Sequence, residues 1–366
     1  MPLKKILIIL IILLILVTGT LVIYNFFLKV DDDSNEESNN GTVTDQQLDS
    51  RIKPISQEPV IGPVIDNKKV KYYLSNNGNV FESNFDGSDK IQISSNNLPG
   101  LIKALWSNNK DKVITIFEKD YLIDKYLYDY NTESSTLLDY KIRWIAWSPT
   151  QEKIAYQYYD SKTGDNNISI ANSDGSEWTT ILSTRMKNLI IEWPDKDKLS
   201  IRTMPSGLAQ SIIYKIDLSD NNLEKVIKET YGLTALWSPL GDKLLISETN
   251  SQGKNLKLKL VDLDEQIIKE LTFITLPEKC VWAQDNRTIF CAVPKNIPIS
   301  AVMPDDYYKG KISFSDEIWK INLETEDIIK IKDSSDYNAK ELLLSPFEDY
   351  LLFINQKDGL LYSLEL

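Results

Sequence analysis

From residue 60 onward the chain alternates short apolar runs with polar turn residues, and the runs recur with the same punctuation. Leu236-Trp237-Ser238-Pro239 runs into Lys243-Leu244-Leu245-Ile246, and Ala146-Trp147-Ser148-Pro149 into Lys153-Ile154-Ala155-Tyr156. Weaker copies are Leu105-Trp106-Ser107 before Val113-Ile114, Glu192-Trp193-Pro194 before Leu199-Ser200-Ile201, and Val281-Trp282 before Ile289-Phe290. A sixth, Leu344-Ser345-Pro346 before Leu351-Leu352-Phe353, has Leu344 in the tryptophan place. Val113, Ile154, Leu244, Ile289 and Leu351 each stand seven residues after that place. Successive tryptophans of the pattern lie 41, 46, 44 and 45 residues apart. Self-similarity at that period signals a β-propeller or another repeat array.

Each repeat reads as four strands. An apolar strand arrives at the tryptophan, a Ser-Pro turn reverses the chain, and a β-branched strand leaves it. A third strand ends in an acidic or Gly-containing turn, and a short fourth leads to the next repeat. In the third repeat the strands are expected near 142–147, 152–159, 166–173 and 178–183. Pro149 fixes φ for its turn and could not sit inside a central strand. Asp174-Gly175 and Asp86-Gly87 supply the positive φ of tight hairpins between third and fourth strands. The repeat tryptophans are expected between neighbouring blades, where a large flat side chain fills the gap between twisted sheets.

A degenerate seventh copy precedes the others. Pro63-Val64-Ile65-Asp66-Asn67-Lys68-Lys69 leads into Val70-Lys71-Tyr72-Tyr73-Leu74, with Val70 seven residues after Pro63. The units then start near 63, 106, 147, 193, 237, 282 and 344. The expected fold is all-β, a seven-bladed β-propeller over 51–366, with six and eight blades as the alternatives. Leu360-Leu361-Tyr362-Ser363-Leu364 would be the last third strand, with no chain left for a fourth. Because proteins avoid bare sheet edges, a stretch near Ile52–Ser56 is expected to supply it and join the ends of the ring.

Trp-Ser-Pro followed by Lys-Ile-Ala-Tyr, then Ile168-Ser169-Ile170-Ala171-Asn172-Ser173-Asp174-Gly175-Ser176, resembles the WD-type repeat of the TolB-like propellers. It is also similar to the N-terminal propeller of the dipeptidyl-peptidase IV and prolyl oligopeptidase families. The resemblance covers about residues 60–366 and implies fold far more than function. TolB carries a separate α/β domain before its propeller, and residues 31–60 are too short and polar to form one. The peptidases carry a hydrolase domain with a Gly-x-Ser-x-Gly nucleophile turn. That motif is absent here, so no catalytic residue is carried over.

The amino terminus changes the picture from a free propeller to a tethered one. Lys4 and Lys5 precede an uncharged stretch from Ile6 to Leu28, aliphatic without interruption over Ile6–Val17. At about 1.5 Å per residue this stretch spans roughly 35 Å as a helix, enough for a bilayer core. Residues 1–30 are therefore expected to hold a single transmembrane helix. A cleaved signal peptide is the rival reading, with Thr18-Gly19-Thr20 as the small-residue run. The lysines place the amino terminus in the cytoplasm and the propeller outside, with Lys29 on the far side opposing that bias. Residues 31–50 hold seven acids and no Lys or Arg, the composition of an extended disordered linker. The first 30 residues carry three lysines and no acid, so the rest carries −15 against −12 for the whole chain. That balance argues against nucleic acid as a partner and permits cations, basic peptides or basic protein faces.

Candidate chemistry is sparse. The chain has no histidine, which removes the commonest general base and every Ser-His or Cys-His nucleophile. It also lacks a phosphate-cradling Gly-Lys-Ser loop, a dinucleotide fingerprint and an Asp-x-Asp-x-Asp-Gly calcium loop. No cofactor and no metal site is expected. Cys280 and Cys291 flank the Trp282 turn, and a hairpin centred on Asp285-Asn286 places them opposite each other on adjacent strands. An external compartment would let them form a disulfide, and two free buried thiols are the alternative.

One segment breaks the rhythm. The step from Trp282 to Leu344 is 62 residues, and the excess falls in Val293–Phe314. Long loops on rigid scaffolds carry function, which makes Asp305, Asp306, Tyr307, Tyr308 and Lys309 the candidate binding residues. The alternative is a segment that caps the channel or packs on a neighbouring blade. Together these features point to a membrane-anchored extracytoplasmic propeller that binds a protein or peptide partner in the cell envelope and is not itself an enzyme. The alternatives are a regulatory or sensor propeller partnering a separate hydrolase, or a carboxylate-based hydrolase.

Overall fold

The computed structural model describes residues 51–95, 98–333 and 336–366. The expected membrane helix and the acidic linker lie outside the described residues. Among the described residues no helix is long and apolar enough to cross a membrane.

Seven four-stranded antiparallel sheets form the ring. Blades 1 to 6 take their strands in chain order, over residues 60–94, 101–137, 142–183, 190–231, 235–270 and 280–332. Blade 7 holds Ala339–Leu344, Tyr350–Asn355 and Leu361–Glu365, and its fourth strand is Ile52–Pro54. That short strand pairs antiparallel with Leu361–Glu365, Ile52 opposite Leu364 and Pro54 opposite Tyr362. The amino-terminal strand thus closes the ring, and Ile55 is buried behind it against Val70, Tyr72 and Leu361. In blade 3 the strands run Ile142–Trp147, Lys153–Tyr159, Asn166–Asn172 and Thr179–Ser183, within a residue of the expected bounds.

First strands of neighbouring blades touch one another around the axis, and fourth strands such as Ser134–Leu137 and Ile267–Glu270 face solvent. The core therefore lies in the seams between blades. Ile114 and Leu127 of blade 2, for example, pack with Ile142, Ile154 and Tyr156 of blade 3. The tryptophans sit in these seams, and two of them donate an indole N–H to the preceding blade. Trp106 Nε1 reaches Gly62 O and Trp147 Nε1 reaches Leu105 O, each at 2.8 Å. Trp193, Trp237 and Trp282 bury the same nitrogen without a partner among the described residues.

The Trp-Ser turn has a specific cause. Ser107, Ser238 and Ser345 each donate the hydroxyl to an aspartate four residues on, Asp111, Asp242 and Asp349. The same hydroxyl accepts the backbone N–H of the residue that starts the next strand. Blades 1, 4 and 6 lack this Ser. In blade 6 Ala283 stands there, and Asp285 holds the wide turn by accepting the Thr288 N–H and hydroxyl. Blades 1 and 4 turn differently. Asp66 pairs with Lys69 and Asp195 with Lys198, leaving two-residue turns at Asn67-Lys68 and Lys196-Asp197. Ile65, not Pro63, consequently stands opposite Val70 and occupies the tryptophan place of blade 1.

Candidate functional site at the channel mouth

The extra chain of blade 6 joins its second strand, Thr288–Pro294, to its third, Asp316–Asn322. Second-to-third connections lie on the ring face opposite the Trp-Ser turns, so the segment runs along the face at one mouth of the central channel. It acts as a strap over blades 4 and 5. The Asp305 carboxylate accepts the Ser206 hydroxyl at 3.0 Å and the Gly207 N–H at 2.6 Å, both in the corresponding connection of blade 4. In blade 5, Gly253 O accepts the Met303 N–H at 2.8 Å, and Lys254 donates to Ala301 O at 2.8 Å. Gly207 must be glycine, since a Cβ there would meet the Met303 carbonyl and lie 2.6 Å from Gly253 Cα.

Beneath the strap lies Lys279, whose side chain is fully buried. Its ammonium donates to Asp316 Oδ2 at 2.8 Å, Asn338 Oδ1 at 3.0 Å and Ala339 O at 2.7 Å, which engages all three N–H groups. The rings of Tyr307 and Phe314 stack on each other at 5.3 Å and lie 5.3 and 5.4 Å from the same nitrogen. Burial pushes the Lys279 amine down against the pull of Asp316, and burial pushes the Asp316 carboxyl up. Cys280, next in sequence, is opposite Cys291 in the register and is joined to it by a disulfide.

The five candidate residues of the strap have different fates. Asp305 anchors it to blade 4. Asp306 accepts the Val302 N–H at 2.8 Å inside the strap, and that backbone bond with the Lys311 ammonium holds its carboxyl low. Tyr307 is 4% exposed and belongs to the roof over Lys279. Tyr308 donates its hydroxyl to Glu278, yet 49% of the residue remains exposed. Lys309 lies at the surface, its side chain 60% exposed. The strap is therefore a built roof with Tyr308 and Lys309 on its outside.

Inside the channel the sequence reading missed a charged set carried on first and second strands. Lys103 of blade 2 feels Glu341 of blade 7 and Glu192 of blade 4, both raising its amine against a larger lowering by its surroundings. Arg202 donates through Nε to Glu192 at 3.2 Å, and its Nη1 is buried without a partner among the described residues. The inner strands bulge where these groups emerge. Trp144 and Glu341, each three residues before the tryptophan place, hold φ of 51° and 50°, a left-handed conformation that non-glycine residues adopt at a cost. Gly62 holds the same place in blade 1 with φ 56° and was the one visible signal. Bulges of this kind re-aim side chains out of the ladder.

Around the strap, on the outer rim of the mouth, apolar side chains face solvent. Ile299 is 96% exposed and Leu208 61%, and Met204, Ile274 and Tyr308 are each about half exposed. Met204 and Leu208 flank the Ser206–Gly207 anchor point, and Ile274 precedes the Pro277–Lys279 turn under the strap.

Neither a family model nor a curated protein sequence matches the chain. Solved structures do. An oligogalacturonate lyase from Vibrio parahaemolyticus superposes with a TM-score of 0.62 at 10% identity, over 86% of this chain and 93% of that one. The propeller domain of the trilobed protease from Pyrococcus furiosus gives 0.56 at 12%, over 84% and 95%. A prolyl endopeptidase gives 0.57 at 10%, over 82% of this chain and 47% of the larger enzyme. TolB from Acinetobacter baumannii is also among the similar structures, at 0.46. At these identities the likeness is one of fold: the chain has the propeller architecture found in an oligogalacturonate lyase and in peptidases.

Proposed function

We propose that the chain is a membrane-anchored extracytoplasmic propeller that binds a protein or peptide partner of the envelope across its strapped face, without catalysis of its own. The observation that carries this reading is the set of exposed apolar side chains around the strap, Met204, Leu208, Ile274, Ile299 and Tyr308. Exposed apolar clusters on a rigid rim mark interaction surfaces, and the polar anchors beneath hold this one in shape. The aliphatic stretch 6–28 supports the tether, and the Cys280–Cys291 disulfide accords with an oxidising compartment. The test is crosslinking of the tagged full chain in native membranes, beside a Leu208→Glu/Ile299→Glu variant. Capture of a discrete partner that the variant loses supports the reading; equal capture by both moves the site off this face.

A catalytic reading has one observation in its favour, the convergence of Lys103, Glu192, Arg202 and Glu341 in the channel. Incubation with oligogalacturonate, the substrate named for a structural neighbour, and with a panel of glycosides tests it. Turnover abolished by Glu192→Gln or Glu341→Gln selects an enzyme. Co-purification of a separate hydrolase selects the regulatory alternative.

A further inference from the structure

A second cavity lies away from the strap, on the flank of blade 3 that faces blade 2. It is a groove of about 470 Å³ lined by Asp139, Tyr156, Tyr158, Asp165, Ser169 and Trp178, among others. Tyr156 and Ser169 stand opposite each other on paired strands, and Tyr158 opposite Asn167, so their side chains share one face of the sheet. Asp139 comes from the connection between blades 2 and 3, Asp165 from the turn before the third strand, and Trp178 from the turn before the fourth.

The floor of the groove carries two hydroxyls. Tyr156 is 3% exposed and Ser169 is 2% exposed, yet neither hydroxyl is engaged by another group among the described residues. Both residues line the groove, so hydroxyls that take no partner from the protein are open to a group bound there. Asp139 lies close enough to push the Tyr156 phenol up, after the larger effect of burial and that of Tyr158. Two phenol- or serine-type oxygens beside a carboxylate provide three acceptors, the complement of an ammonium with three donors and no acceptor.

The walls fit the same chemistry. Ring faces of Tyr158 and Trp178 attract cations, and this wall already holds one: Lys141 Nζ is 5.6 Å from the Tyr158 centroid and 2.8 Å from Asp160. Lys141 is thereby tied back. Asp139 Oδ1 accepts the Lys141 N–H, Asp165 Oδ2 accepts the Thr163 hydroxyl and Asp139 also acts on the Lys125 amine, so each carboxylate offers a ligand its other oxygen. The net charge of −15 beyond residue 30 draws cations toward the surface. We infer that the blade 3 groove is a binding site for a primary alkylammonium group, carried by a free polyamine or by a lysine side chain of a basic segment. Tyr156, Ser169 and Asp139 receive the ammonium, and Tyr158 and Trp178 cover its aliphatic stem.

The test is calorimetric titration of the full chain in uncharged detergent at about 0.15 M salt, where loose surface attraction is screened. The probes are spermidine, a short lysine-rich peptide, and a neutral disaccharide. Saturable binding of one or both amines is expected, weakened about tenfold or more in Asp139→Asn/Asp165→Asn and in Tyr156→Phe, in line with loss of charged hydrogen bonds. Spermidine binding alone identifies a free amine, and peptide binding identifies a side chain. Trp178→Ala, at a site 63% exposed, weakens the amines without lowering the melting temperature. No amine binding, binding unchanged in these variants, or binding of the disaccharide alone overturns the proposal.

Discussion

In blade 6 the buried Lys279 ammonium has all three donors engaged and two aromatic rings beside it, whereas in blade 3 Tyr156 and Ser169, though largely buried, line an open groove. Both blades are four-stranded sheets of the same order, so the difference comes from the connections. The long connection of blade 6 folds back over its own sheet and over blades 4 and 5, and its polar groups are consumed in holding it there. Its blade 3 counterpart is the short Asp160–Asp165 turn, closed by backbone bonds between those two residues and between Gly164 and Asp160. Added chain has made one sector a rigid roof with an apolar outside, suited to a macromolecule. The short turn leaves polar atoms accessible in a narrow groove, suited to a small group.

The comparison breaks most sharply under substitution of the buried groups. Lys279→Met should cost about 3–5 kcal/mol, because it leaves Asp316 buried without its cation. Lys279→Met/Asp316→Asn should recover part of that loss, and Tyr156→Phe should stay within about 0.5 kcal/mol of the parent. Denaturant unfolding measures all three. Removal of the disulfide as Cys280→Ala/Cys291→Ala should cost about 3 kcal/mol for so short a loop, with amine binding in blade 3 unchanged by calorimetry. Asp305→Ala should cost about 1.5–3 kcal/mol by releasing the Ser206 and Gly207 anchor, and hydrogen exchange should rise in 296–312 but not in blade 3.

The smallest effect per residue is on pH. Asp174 of blade 3 and Asp306 of the strap titrate below their ordinary 3.8, Asp174 through Ser176 and Asp306 through the Val302 N–H and Lys311. A depressed carboxyl adds stability that is complete above the unfolded value and disappears as pH falls through the folded one. The melting temperature should be flat between about pH 5 and 7 and fall below about pH 4, in both sectors alike. A fall confined to one sector, read by hydrogen exchange, would contradict that.

Much of the ring was legible because its causes are local. The tryptophan period, the Ser-Pro turns and the Asp-Gly hairpins act within a few residues, and the closing strand followed from the shortage of chain in blade 7. The pairing of Cys280 with Cys291 followed from the centre of one hairpin. Blades 1 and 4 were harder, since they have neither the serine that bonds Asp four residues on nor the Asp285 substitute of blade 6, and there the turn tightens and the register shifts. The strap was seen as excess length, but its role was not, because Asp305 meets its partners about a hundred residues away in sequence. The bulges at Trp144 and Glu341 leave no mark in composition. Tyr156 and Tyr158 read as ordinary alternating strand residues, and only the packing of blade 2 against this face shows that it leaves a groove beside them.

The most direct measurement sets the two surfaces against each other in the full chain. Partner capture and spermidine affinity would be measured for the parent, for Leu208→Glu/Ile299→Glu, and for Asp139→Asn/Asp165→Asn. The account predicts that the first variant loses the protein partner and keeps the amine, and that the second loses the amine and keeps the partner. Capture undiminished in Leu208→Glu/Ile299→Glu, or both activities falling together in either variant, would contradict it.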